Sequence, residues 1–221
     1  MLGPPKAQGR WSLLTRELGD AGAVSPTEAA AALAGVLLDR HGVLTRGAAR
    51  GEGVPGGFAA VYPVLRAMEE SGRIRRGYFV TGLGGAQFAL PGAVDRLRAF
   101  RDGVPEGFPG AVVLAATDPA NPYGVALPWP ETEGARPQRA AGAFVVLVDG
   151  LASLYVEKGG RGLVALRALD GTWEARAVTA LGGLVGGRFS RLSLERFPAE
   201  LEPLLRAADF VPTPKGLVRY A

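Results

Sequence analysis

Three arginines and a tyrosine carry the plainest chemistry in this chain. Arg73, Arg75 and Arg76 fall within four residues, and Tyr78 follows two places on. Guanidinium forks pair with phosphate oxygens, and a nearby aromatic face can stack on an unpaired base. Arg66 stands upstream as the one basic residue of its segment, followed by Glu69 and Glu70, which repel phosphate. The competing reading is a solvated strand edge with Tyr78 turned into the core. A second polar group is Asp118 with Asn121 and Tyr123, in Thr117-Asp118-Pro119-Ala120-Asn121-Pro122-Tyr123-Gly124. Asp118 is the candidate catalytic residue: a solitary carboxylate can act as a general base or steady a developing cation. The competing reading is an Asx-turn that caps backbone N–H groups. Trp129, between Pro128 and Pro130, reads as a plug on a sheet more readily than as a stacking platform. His41 reads as a helix-end residue near the negative pole of the dipole.

Much other chemistry is excluded. The 221 residues contain no cysteine and one histidine, so disulfides, thiolate sites and His-rich metal centres are ruled out. No metal site is expected. No phosphate-binding GxxxxGK[ST] loop occurs, and the only lysines are Lys6, Lys158 and Lys215. No apolar run is long enough to span a membrane, and the N-terminal residues lack the apolar stretch of a secretory signal. A cytoplasmic location and no membrane partner are the expectation. The net charge of +4 lies entirely in residues 1–104, while residues 105–221 are balanced, a weak pointer to a polyanionic partner.

The elements that must position these residues follow from caps and periodicity. Ser25-Pro26-Thr27-Glu28 is a capping box with proline at the first helical position, and Gly42 is placed to end the helix. Thr45 predicts a short second helix to about Glu52. Phe58, Val61, Tyr62, Leu65 and Met68 share one face of a third helix, from about Gly57 to Ser71, in which Pro63 is awkward. Residues 73–80 and 86–90, joined by Gly82-Leu83-Gly84-Gly85, predict strand, turn and strand. A fourth helix over about Gly92–Arg101 turns Val94, Leu97 and Phe100 inward. Three helices followed by a β-ribbon is the winged-helix order.

The second half reads as β-rich. Ala111–Ala116 is a strand that runs into a proline-rich strap between Thr117 and Gln138. Strands over 143–148, 151–157 and 163–167 form a meander, with Asp149-Gly150 as a hairpin turn. Thr172 is expected to cap a helix to about Leu181. A strand over 191–197, a helix over 201–208 and a closing hairpin complete a small curved sheet or barrel. The expected class is α+β: a winged-helix domain over 25–104, a barrel-like domain with two helices over 105–221, and residues 1–24 left from a preceding module.

Long stretches resemble one family. They are Gly53–Arg66, Arg75–Val80, Gly82–Gly92, Ala115–Gly124 and Gly9-Arg10-Trp11-Ser12. Together they resemble the C-terminal region of the bacterial large helicase-related proteins, Lhr, across nearly the whole chain. The resemblance implies superfamily 2 helicases that translocate 3′ to 5′ on single-stranded DNA with ATP and Mg, and that act in DNA repair. It also implies a C-terminal extension of winged helices and a β-barrel module similar to AlkZ-type DNA glycosylases, associated with oligomer formation. No motor motif is present here, so no cofactor is expected in this chain. The expected partners are single-stranded or forked DNA, the helicase motor of the same protein and a homo-oligomer. The Gln-x-Gln or Gln-x-Asp of AlkZ-type enzymes does not occur; Gln8, Gln87 and Gln138 are followed two places on by Arg10, Ala89 and Ala140. The leading expectation is a non-catalytic DNA-binding and assembly module, with Arg66, Arg73, Arg75, Arg76 and Tyr78 on DNA. The alternative is a glycosylase-like domain using Asp118 on a flipped base.

Overall fold

The computed structural model describes residues 24–101, 103, 107–108, 110–132, 136–187 and 189–221. The expected N-terminal segment, with the Gly9–Ser12 motif, therefore lies outside the described residues apart from Val24.

Helix α1 (Pro26–His41) starts where its caps require. Ser25 Oγ accepts from the Glu28 amide at 3.2 Å, and the Glu28 carboxylate accepts from the Ser25 amide at 3.0 Å. Gly42, at φ 66°, closes the helix by donating to the Leu38 carbonyl. Leu37 and Leu38 face inward, whereas Val36 is 55% exposed. Strand β1 (Val43–Leu44) leads to α2 (Arg46–Gly51), whose first turn is capped by the buried Thr45 hydroxyl, accepting from the Ala48 amide at 3.1 Å. Helix α3 (Gly57–Glu70) buries Val61, Leu65 and Met68, and it carries Pro63 within its length. Strands β2 (Arg75–Gly77) and β3 (Gln87–Ala89) form the ribbon. Helix α4 (Pro91–Ala99) buries Val94, but Leu97 and Phe100 are each 39% exposed, contrary to the inward placement expected of them. Phe100 meets Phe108 edge-on.

Two further features of this half depart from the expectation. Val43 and Leu44 pair with Ala89 and Phe88, so the sheet has three strands in the order β1-β3-β2. The first ribbon strand also stops at Gly77, short of Val80. The cause is the buried Gln87 side chain. Its Oε1 accepts from the Phe79 and Val80 amides at 2.9 and 2.8 Å, and its Nε2 donates to the Val80 carbonyl at 2.8 Å. The side chain takes the bonds that an opposing strand would supply, and the backbone stays satisfied without a ladder.

The second half holds two antiparallel sheets. Four strands run in chain order: β4 (Ala111–Ala115), β5 (Phe144–Val148), β6 (Leu151–Val156) and β7 (Leu163–Ala165). Helix α5 (Glu174–Gly182) packs on this sheet. Strand β8 (Arg191–Leu194), a 3₁₀ turn at Ala199–Leu201, α6 (Glu202–Ala207), β9 (Val211–Thr213) and β10 (Gly216–Tyr220) follow, with sheet order β8-β10-β9. Trp173, Phe210, Leu154, Leu181 and Leu192 lie in the core between sheets and helices. On the other face, Val145, Leu147 and Tyr155 pack under Tyr123 and Trp129 of the proline-rich strap. Cover on both faces explains why β5 is apolar at all five positions. The sheets meet where the Leu163 amide donates to the Arg196 carbonyl at 2.8 Å, yet no strand pairing among the described residues closes them into a barrel.

Helix α5 begins later than expected. The N-cap position is Trp173, not Thr172, and the buried Glu174 carboxylate reaches back over the entry turn. It accepts from the amides of Asp170, Gly171 and Trp173 at 2.6, 2.9 and 3.0 Å. Burial pushes this carboxyl up, but hydrogen bonds from the backbone amides of Gly171, Glu174, Trp173 and Asp170 together outweigh it and hold the group below its ordinary range.

The strap also joins the halves. Ala126 packs against the winged-helix core, and a Cβ on Gly51 would overlap Val125.

Candidate nucleic-acid interface

The ribbon places the arginine cluster at the surface. Arg73, Arg75, Arg76 and Tyr78 are all exposed, Tyr78 to 86%. The alternative of Tyr78 buried in the core is thereby overturned. Its exposure follows from the Gln87 clamp, which fixes the backbone just beyond it and leaves the ring outside the ladder.

The charges differ in availability. Arg66 pairs with Glu70 at 3.0 Å along α3, and Arg76 pairs with Glu69 at 3.2 Å. Glu69 and Glu70 therefore hold two of the four arginines, rather than standing only as repulsive groups. Exposed pairs of this kind are worth about 0–1 kcal/mol and can be exchanged for a phosphate. Arg73 and Arg75 have no carboxylate partner among the described residues. Two further guanidinium groups are not evident from the sequence. Arg46 and Arg50 sit one turn apart on α2, exposed and likewise without a carboxylate partner among the described residues. Their i, i+4 spacing behind the Thr45 cap is the signal that points to them.

The Asp118 cluster is turn architecture. Asp118 Oδ1 accepts from the Ala120 amide at 2.8 Å, as the Asx-turn reading requires. Buried Asn121 donates to the Ala116 carbonyl and accepts from the Tyr123 amide. The Tyr123 hydroxyl donates to the Gly150 carbonyl at 3.2 Å and accepts from the Ala152 amide at 3.1 Å. Arg139, which no sequence motif marks, donates to the carbonyls of Thr117, Asp118, Asn121 and Tyr123. Trp129 is a plug: it stacks on Tyr123 with centroids 5.8 Å apart and meets Tyr155 edge-on.

Between the halves lies a cleft of about 360 Å³ lined by Arg40, His41, Glu52, Asn121 and Arg139 among others. His41 does stand at a helix end, and its Nε2 lies 2.9 Å from Glu52 Oε1. Glu52 also accepts from Arg40 at 2.7 Å. Burial acts to raise the Glu52 carboxyl, but bonds from Arg40 and His41 and their charges lower it overall. The arrangement ties the end of α1 to the end of α2. Among the described residues, no group of three His, Asp or Glu side chains is placed to hold a metal ion.

Residues 23–107 match the family described as large helicase-related protein, winged-helix domain. A Mycolicibacterium smegmatis protein named "Lhr helicase/ probable uracil glycosylase" is 48% identical over 230 residues, a match covering 96% of this chain and 15% of that protein. An Escherichia coli K12 protein named "Lhr helicase/uracil glycosylase" is 39% identical over 222 residues, covering 96% of this chain and 14% of that protein. The chain thus spans about one seventh of the length of these curated relatives.

Proposed function

Because residues 23–107 match the winged-helix domain of the large helicase-related family and the relatives are named Lhr helicases, we propose that this chain is a DNA-binding and assembly part of an ATP-dependent helicase. On this reading the parent enzyme moves 3′ to 5′ on DNA in the cytoplasm and serves repair. ATP and Mg belong to its motor, and the β-rich half packs against the motor or against further copies of the chain. Single-stranded or forked DNA is the partner.

One observation carries the reading: Arg73, Arg75 and Tyr78 stand exposed together on and beside the ribbon, with both guanidinium groups unpaired among the described residues. The ribbon would track the sugar–phosphate backbone, with Arg66 and Arg76 joining by release from Glu70 and Glu69. α3 offers only Arg66 as a basic residue, so the contact is independent of base sequence.

Fluorescence anisotropy on forked DNA tests this. Arg73→Glu/Arg75→Glu should weaken binding about tenfold or more on any sequence, and flatten the log–log salt dependence by about 0.9 for each duplex phosphate no longer neutralised. The control, Arg191→Glu/Lys215→Glu, makes the same charge change at exposed sites in the other half. Equal weakening by both pairs would refute a localised interface.

A second reading has its own support, since both relatives carry uracil glycosylase in their names. On it, Asp118 would assist excision of a flipped base. Abasic sites formed in uracil-containing DNA by the purified chain, and abolished by Asp118→Asn, would establish it. An inert wild-type chain would dismiss it.

A further inference from the structure

We infer that the winged-helix half carries a second nucleic-acid seat, distinct from the ribbon: a groove between α2 and the start of α3 that takes an unpaired stretch of DNA. The inference rests on the DNA-binding reading above and specifies where the single strand goes.

The groove is about 740 Å³, within the range of ligand clefts. Arg46 and Arg50 stand on one wall, Phe58 and Tyr62 line it from α3, and Gly85 and Ala86 close it from the ribbon loop. Among the described residues, no aspartate or glutamate lines it. This contrasts with the far end of α3, where Glu69 and Glu70 occupy Arg76 and Arg66. The groove at the start of α3 therefore sets two arginines against aromatic side chains. The two guanidinium groups lie one helical turn apart and present forks suited to phosphate oxygens.

The rings decide between strand and duplex. Phe58 and Tyr62 are half-buried, with centroids 5.9 Å apart. Both also pack against Phe88, which is fully buried, at 6.2 and 5.9 Å. They are held in place by the core before any ligand arrives, so little ordering cost remains on binding. A preset aromatic wall inside a concave cleft can receive a base that has left its stack. A duplex keeps its bases paired and offers only backbone. Stacking on such rings is worth about 1–3 kcal/mol per base and ignores sequence.

The test uses the full chain with a short fluorescein-labelled oligo(dT) and a blunt duplex of equal length. Arg46→Ala/Arg50→Ala should weaken oligo(dT) binding about tenfold and flatten its salt slope by about 1.4, from two phosphates at about 0.7 each. The loss on duplex should be smaller. Arg46→Lys/Arg50→Lys, which keeps both charges, should recover much of the affinity. Both arginines are exposed, so an unchanged melting temperature certifies the fold. Unchanged oligo(dT) binding, or equal losses on both DNAs, overturns the groove. If Arg73→Glu/Arg75→Glu weakens binding while Arg46→Ala/Arg50→Ala does not, the groove fails and the ribbon reading stands. A wild-type chain that binds neither DNA overturns both.

Discussion

Gly51→Ala tests how the two halves are joined. Gly51 ends α2, and its Cα faces the strap. A Cβ there would overlap Val125 Cγ1 and lie 3.0 Å from Val125 Cβ and 3.2 Å from its Cα. Two effects oppose each other. Replacing glycine by alanine in a helix stabilises by about 1 kcal/mol when nothing obstructs it. Overpacking costs about 1–3 kcal/mol. The overlap involves backbone-near atoms as well as a methyl, so the strap must move and the cost should win by about 1 kcal/mol. That corresponds to a melting temperature lower by about 2–4 °C in a chain of this size. Val125→Ala removes Cγ1 and should relieve part of the clash, giving a favourable coupling of about 1 kcal/mol in the double mutant. Thermal unfolding of the four proteins measures this. A Gly51→Ala chain that melts higher than wild type, with no coupling to Val125→Ala, would mean that the strap is not seated on α2.

Two further outcomes follow from the polar clamps. Glu174→Ala leaves the amides of Asp170, Gly171 and Trp173 without their acceptor and should cost about 2–3 kcal/mol. The Glu174 carboxyl is depressed in the fold, so its contribution is present above the unfolded value of about 4.3 and lost as pH falls through the folded one. The gap between wild type and Glu174→Ala in denaturant midpoint should therefore shrink on acidification below about pH 4; a gap independent of pH would contradict the assignment. Arg139→Ala removes the donor shared by four strap carbonyls. Amide exchange across residues 117–124 should accelerate while exchange in β5 stays slow, and unchanged strap exchange would show that the clamp is dispensable.

Local signals are legible where one short segment contains both partners. The Ser25–Glu28 box, the Thr45 cap and the Asx-turn at Asp118 each close within three residues, so composition and spacing suffice. The apolar face of α3 is equally plain, because burial alone sets its period. What escapes is anything decided by a distant partner. Val43–Leu44 is too short to show a period and is a strand only because β3 lies beside it. Gln87 looks like an ordinary strand residue, yet its amide replaces a ladder for residues 79 and 80 and so exposes Tyr78. Thr172 has the right side chain for a cap, but Glu174 reaches back and takes the turn amides instead. Strand periodicity finds the strands of the second half, but barrel closure depends on which edges meet, and nothing in that periodicity encodes it. The candidate interface follows the same division. The arginine cluster is visible as a run, whereas the Glu69 and Glu70 pairings and the Arg46–Arg50 wall depend on the folded arrangement.

Hydrogen–deuterium exchange on the full chain, with and without forked DNA, addresses the central claim most directly. Slowed exchange on DNA addition should appear over residues 46–62 and 73–87, with β5 and β6 unaffected. Protection confined to the strap and the β-rich half, with the ribbon and α3 exchanging as in the free chain, would contradict the placement of DNA on the winged helix.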